Sequence, residues 1–279
     1  MTAPALRARA WIAALAVVVL LSGTCGRSSV PRPSETASGS EAPGRTKPPA
    51  APRLDDVCPG APPASGFIFP AADGTSLYGV VMGRGPVGIV MANDVPHPLC
   101  EEIAESAFPA RHGFRVLVFD YRGHGESEAG SDPGRLDLDV AGAAAELRRQ
   151  GSDRVVLVGF YAGGAVALVA STRIEPAVAG VVAVSAAARR GQFVNGPYTA
   201  PGAFDVAPRA RVPVLFLAVR TDRYVPLSEV RRLYRLTGSA HKRLVVFPYG
   251  GGGLDLFGLS SFGDRANDLI LRFVRAQAA

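Results

Sequence analysis

From residue 67 onward the chain alternates short apolar, β-branched runs with longer stretches of helical periodicity, and this alternation constrains its fold more than any other feature. The runs lie at residues 67–69, 77–82, 87–92, 116–119, 155–158, 181–184, 214–218 and 244–247, bounded by Gly, Pro and Asp. Helical patterns occupy residues 101–112, 136–150, 164–171, 226–236 and 261–277. Strands that alternate with helices pair in parallel, because each crossover helix lies back on the sheet and covers a face. The first two runs are too close together for a crossover and predict a leading hairpin. The expectation is one mainly parallel α/β domain at residues 58–279.

The N-terminus reads differently. Arg7 and Arg9 precede an unbroken apolar stretch at residues 10–21, followed by Ser22, Gly23, Thr24 and Cys25. Twelve apolar residues are too few to span a bilayer core, which needs about 20 in a helix, so residues 1–25 are expected to be an export signal. The Cys after the apolar run resembles a bacterial lipobox, which implies lipidation at Cys25, although Ser22 and Thr24 stand where that motif has Leu and a Gly or Ala. The localisation implied is export, either lipid-anchored on the outer side of the cell membrane or secreted. Residues 26–57 are rich in Pro, Ser, Gly and Ala, and predict a disordered tether. With Cys25 assigned to lipid, Cys58 and Cys100 remain as a pair, and an oxidising compartment predicts a disulfide between them.

Charge excludes little but does weigh against nucleic acid. The chain has 30 Lys and Arg against 24 Asp and Glu, and part of that excess lies in the N-terminal segment. The remaining body is too nearly neutral for a nucleic-acid footprint, so no such partner is expected. No HExxH, paired CxxC or phosphate loop is present, and no metal or cofactor is expected.

Chemical identity is carried by Val158-Gly159-Phe160-Tyr161-Ala162-Gly163-Gly164 at a strand-to-helix junction. It resembles the G-x-S-x-G nucleophile elbow of the α/β-hydrolase family, in which small residues allow a sharp, strained turn. Three further segments extend the resemblance. Asp120-Tyr121-Arg122-Gly123-His124-Gly125-Glu126-Ser127 is similar to the family's D-x-R-G-x-G-x-S turn. Asp222-Arg223-Tyr224-Val225-Pro226 is similar to the turn that supplies the triad acid, and Pro248-Tyr249-Gly250-Gly251-Gly252-Gly253 to the segment that supplies the triad histidine. The resemblance implies an α/β-hydrolase fold of esterase or lipase type, with Asp222 at the acid position. Residues 185–211 imply a minimal or absent lid.

The departures fall on the chemistry. Tyr161 occupies the nucleophile position, Gly252 the histidine position, and Asn93 and Asp94 replace the His-Gly dipeptide of the oxyanion loop. By the resemblance, Ala162, Asn93, Asp94, Val95 and His97 line the oxyanion site and pocket. A triad needs a nucleophile, an imidazole that takes its proton and a carboxylate that orients the imidazole. Loss of nucleophile or base costs about 2 × 10⁶ in kcat, roughly 8–9 kcal/mol. A phenol with pKa near 10 is only about 0.1% ionised at pH 7. Of the other histidines, His97 is placed to serve as a displaced base, whereas His124 is expected to be a solvated loop residue and His112 and His241 precede strands, away from the pocket. Asp222 is expected to cap its own turn, and Asp120 and Arg122 to pair or bond the turn locally.

The expected function is ligand binding or scaffolding at the cell envelope by a pseudoenzyme, with an unknown small molecule or envelope protein as partner. Contact with the membrane would run through the N-terminal lipid if Cys25 is acylated. The alternative is an active hydrolase acting on small esters through an unconventional site of Tyr161 or Asp94 with His97. The residues leave open whether Tyr161 keeps a strained turn, since a bulky residue at positive φ costs about 1–3 kcal/mol.

Overall fold

The computed structural model describes residues 51–61, 64–95, 97–192, 199–258 and 261–278. The expected signal segment, Cys25 and the expected tether up to residue 50 lie outside them. Among the described residues no helix is long and apolar enough to cross a membrane.

Among those residues, eight strands form one sheet in the order β1-β2-β4-β3-β5-β6-β7-β8. The strands are β1 (Gly66–Pro70), β2 (Ser76–Met82), β3 (Val87–Ala92), β4 (Arg115–Phe119), β5 (Arg154–Phe160), β6 (Gly180–Val184), β7 (Val214–Val219) and β8 (Lys242–Phe247). β1 and β2 form the expected antiparallel hairpin, and β2 joins β4 antiparallel. From β4 through β3, β5, β6 and β7 to β8 every pairing is parallel. Burial explains this: β3, β6 and β7 are buried at every position, so they can read as unbroken apolar runs rather than alternating ones.

Two apolar layers flank the sheet, and successive strand residues face opposite ones. Leu157, Ala183 and Phe216 point to a layer shared with α3 (Leu136–Arg149), α4 (Tyr161–Ser171), α5 (Ala203–Val206) and α6 (Leu227–Leu236). Val158, Val182 and Leu217 point to the other layer, shared with α2 (Ile103–Arg111), α7 (Asp255–Gly258) and α8 (Gly263–Ala276).

The domain begins earlier than the sequence suggests. Residues 51–57, read above as the end of the tether, include α1 (Leu54–Val57), whose Leu54 is wholly buried in the α2/α8 layer. Proline and charge around Leu54 conceal this anchor, because one buried leucine gives no periodicity. The Tyr78 hydroxyl donates to the carbonyl of Pro52 at 3.1 Å, tying the segment to β2. The Cys58–Cys100 disulfide is present with Cα atoms 5.4 Å apart, linking the end of α1 to the turn before α2.

In the glycine-rich turn after β4, Asp120 bonds the turn locally, one of the two arrangements expected of it, and does not pair with Arg122. Asp120 accepts from the amides of Leu99 at 2.8 Å and Glu126 at 3.2 Å. Arg122 is fully buried and lies between two carboxylates, Nη1 2.8 Å from Asp73 Oδ2 and Nη2 2.7 Å from Asp139 Oδ1. The hydrogen bond from Arg122 holds Asp73 down at about 2. Burial outweighs the same guanidinium at Asp139 and pushes that carboxyl up to about 6.

Between β6 and β7, the described residues hold only α5 and a single 3-10 turn, Ala207–Arg209, consistent with a minimal lid. Residues 193–198 of this connection lie outside the description.

Candidate functional site at the strand-to-helix elbow

β5 delivers the chain to Tyr161 at the C-terminal end of the sheet, and α4 starts there without a side-chain cap. Tyr161 has φ +44°, so the strained elbow is kept although the residue is a bulky aromatic. Close packing around the elbow depends on Gly163: a Cβ there would lie 2.1 Å from the carbonyl oxygens of both Ala92 and Asn93 at the end of β3. The small residues thus press α4 against β3 and β5, whatever side chain stands at 161.

The structure brings together the three positions aligned with a triad. Asp222 lies in the turn after β7, where Oδ1 accepts from the amides of Tyr224 at 2.9 Å and Val225 at 3.0 Å, the capping role expected of it. Its Oδ2 is buried. Gly252 lies beyond β8, and a Cβ at that position would sit 1.8 Å from Asp222 Oδ2 and 2.7 Å from the Tyr161 hydroxyl. A Cβ on neighbouring Gly253 would meet the Tyr161 ring at 2.1 Å. The tyrosine side chain therefore fills the space beside Asp222 that any larger residue at 252 would need.

On the opposite side of the elbow stands Asp94. It follows β3, and its Oδ1 accepts from the Ala162 amide at 3.3 Å. Asp94 donates its own amide to Glu102 Oε1 at 2.9 Å. Burial pushes the Asp94 carboxyl up to about 6, and burial also pushes the wholly buried Glu102 well above the usual range. The Tyr161 phenol is raised from its ordinary value too, first by burial and then by the charges of Asp222, Asp255 and Asp94. These shifts oppose any phenolate at position 161, because removing a proton there adds a negative charge beside three carboxylates.

The other oxyanion-loop candidates are structural or peripheral. Asn93 is buried and donates Nδ2 to the Phe119 carbonyl at 3.0 Å, bridging β3 to β4. Val95 is buried in the core. His97, the candidate displaced base, is exposed and places Nδ1 2.6 Å from Glu101 Oε2. His124 Nδ1 lies 3.0 Å from the Arg122 carbonyl, and His112 Nδ1 lies 2.8 Å from the Phe108 carbonyl at the end of α2.

Three contributors escape the sequence reading. Tyr224 packs edge-on against Tyr161 with ring centroids 5.8 Å apart, while remaining 60% exposed at the mouth of the site. Asp255 and Glu102 join the electrostatics through turns that only the tertiary fold brings close. Tyr224 had a visible cue in its place within the acid-bearing turn; the two carboxylates had none.

Comparison with known proteins agrees with the fold that carries this site. A family model described as alpha/beta hydrolase fold matches residues 93–195, which run from Asn93 after β3 through the elbow and beyond β6. The chain is 28% identical over 239 residues to the uncharacterized protein YfhR of Escherichia coli K12, covering 77% of this chain and 81% of that protein. It is 26% identical over 165 residues to the uncharacterized membrane protein YNL320W of Saccharomyces cerevisiae, covering 51% of this chain and 56% of that protein, so it spans little more than half of the yeast relative's length. Among solved structures, the Pyrococcus furiosus esterase Pf2001 superposes with TM-score 0.65 at 17% identity, over 81% of this chain and 95% of that one. The esterase EaEST of Exiguobacterium antarcticum superposes with TM-score 0.61 at 19% identity, over 75% and 99%. The chain has the α/β-hydrolase fold.

Proposed function

We propose that this protein is an α/β-hydrolase-fold pseudoenzyme, one that has exchanged serine-hydrolase chemistry for binding or scaffolding at the cell envelope. The observation that carries the reading is the pairing of Tyr161 in the strained elbow with Asp94 on the Ala162 amide. The first removes the hydroxymethyl nucleophile and fills the space beside Gly252. The second directs a carboxylate at the backbone donor that an esterase reserves for a developing oxyanion. A like-charged group in that place repels the transition state such a site exists to stabilise.

The test is a fluorophosphonate label combined with a short-chain ester assay on the full-length protein. Neither labelling nor turnover above the uncatalysed rate is expected. Ester turnover comparable to ordinary esterases, abolished by Tyr161→Phe, would overturn the reading in favour of a tyrosine-centred hydrolase. Placement at the envelope rests on the lipobox-like end at Cys25, and Cys25→Ser should release the protein from membranes. Wild-type protein found free in the medium with an unacylated N-terminus would replace anchoring with secretion.

A further inference from the structure

Charge is distributed along the sheet very unevenly, although the total is nearly balanced. Residues 51–184 carry 10 Lys and Arg against 16 Asp and Glu, whereas residues 185–279 carry 14 against 6. The strand order makes this a spatial division, because β7 and β8, the strands of the second segment, lie together at one edge of the sheet.

Six of these fourteen basic residues cluster around one helix. Arg209, Arg211, Arg231, Arg232, Arg235 and Lys242 all belong to α6 or to the turns and strand that pack beside it, and the five arginines are exposed. Side-chain contacts hold three of them in place. Arg232 lies 4.4 Å above the Phe204 ring, Arg211 donates to the Gly238 carbonyl at 2.8 Å, and Lys242 donates to the carbonyls of Thr237 at 2.5 Å and Arg235 at 3.2 Å. The nearby acids are already engaged. Glu229 is buried, accepting from the Ala188 amide and lying 3.0 Å from Arg189 Nε, and Asp205 accepts from the Gly202 amide. Leu236 is exposed at the end of the same helix.

We infer that the α6 face is a docking surface for a membrane bearing anionic phospholipid. Arg231, Arg232 and Arg235 along one exposed helical face, with Arg209 and Arg211 beside them, match an array of phosphates better than they match a single small anion. Long guanidinium side chains reach headgroups while their stems lie on apolar surface, and Leu236 supplies an apolar tip. The inference does not depend on lipidation at Cys25, nor on the loss of hydrolase activity.

The test is co-sedimentation of the full-length chain with phosphatidylcholine vesicles, with and without phosphatidylglycerol. Binding to the anionic vesicles should exceed binding to the neutral ones and should weaken as salt rises. The N-terminal segment is common to every variant, so the comparison isolates the face. Arg231→Gln, Arg232→Gln and Arg235→Gln together should lower partitioning to anionic vesicles by about 100-fold, at roughly fivefold per charge. Arg272→Gln with Arg275→Gln, on α8 across the sheet, should change it by less than about twofold if only the α6 face touches lipid. Far-UV circular dichroism establishes that both variants are folded. Equal binding to both vesicle types, an unchanged α6 variant, or equal losses from the two variants would overturn the inference. Stronger binding of the α6 face to duplex DNA at matched phosphate would overturn it too, by reassigning the partner.

Discussion

The Asp94 carboxylate accepts a hydrogen bond from the Ala162 amide at 3.3 Å, across 68 residues of sequence. The donor beside the elbow is therefore satisfied from within the chain. On the proposed reading, this contact explains how a backbone trap for anions can persist after the nucleophile is lost: its own carboxylate occupies it. It also makes Asp94 the residue whose protonation most directly changes the site.

The first prediction follows from that protonation. Burial raises the Asp94 carboxyl to about 6, above its unfolded value near 3.9, so the folded state binds the proton more tightly. Stability from this group is fully present below pH 4 and is lost as pH rises through 6. Asp94→Asn should therefore stabilise the protein at pH 7.5, by at most about 3 kcal/mol, and have little effect at pH 4. Thermal melts at the two pH values check this. A larger gain at pH 4 than at pH 7.5 would refute it.

A second prediction concerns rebuilding a hydrolase. Tyr161→Ser with Gly252→His returns a nucleophile and an imidazole beside Asp222, once Asp222 Oδ2 turns away from the new Cβ. Asp94 would still oppose an oxyanion at Ala162. Adding Asp94→Gly should raise ester turnover by about 10²-fold over the double variant, the usual worth of one oxyanion donor. Equal rates for the double and triple variants would show that Asp94 does not block the site.

Arg122 supplies the third. Its buried guanidinium is the counterion of Asp139, which is itself wholly buried, and Arg122→Met would leave that carboxylate uncompensated. A loss of about 3–5 kcal/mol is expected in urea unfolding at pH 7. Asp73 adds an opposite pH dependence: its carboxyl is lowered to about 2, so its contribution is present above pH 4 and disappears as pH falls toward 2. A loss under about 1 kcal/mol for Arg122→Met would refute the role of Arg122 as the counterion of Asp139.

The disulfide gives the fourth. Cys58 and Cys100 are 42 residues apart, and a loop of that length contributes about 4 kcal/mol in the chain-entropy account. Cys58→Ser with Cys100→Ser should lower stability by that order, and non-reducing peptide mapping should recover the linked peptides. Two freely alkylatable thiols in natively produced protein would refute the pairing.

Much of this molecule was legible in its sequence. Every β-strand begins or ends within two residues of an apolar run, because eight short runs with intervening helical periodicity leave one economical arrangement. The elbow was readable from glycine spacing around Tyr161, and the turn-capping role of Asp222 from its place in a D-x-x-V-P turn. The beginning of the domain was not readable, because Leu54 is a single apolar residue in a proline-rich stretch. The partners of Arg122 were equally hidden: Asp73 lies in the hairpin turn and Asp139 in α3, and no local pattern relates either to residue 122. Net charge concealed the basic α6 face, since acids on the other side of the sheet cancel it in the sum.

What the sequence determined by itself was the order of strands and helices, the site of the elbow, and the absence of serine and histidine where a triad would need them. These depend on short-range physics: the periods of helix and strand, the conformational limits of glycine and proline, and the chemistry of single side chains. The tertiary structure alone decided that Tyr161 fills the space beside Gly252, that Asp94 reaches the Ala162 amide, and that arginines gather on one face of α6. Such meetings depend on how crossover helices settle on the sheet, which is governed by burial of the two apolar layers rather than by any local signal.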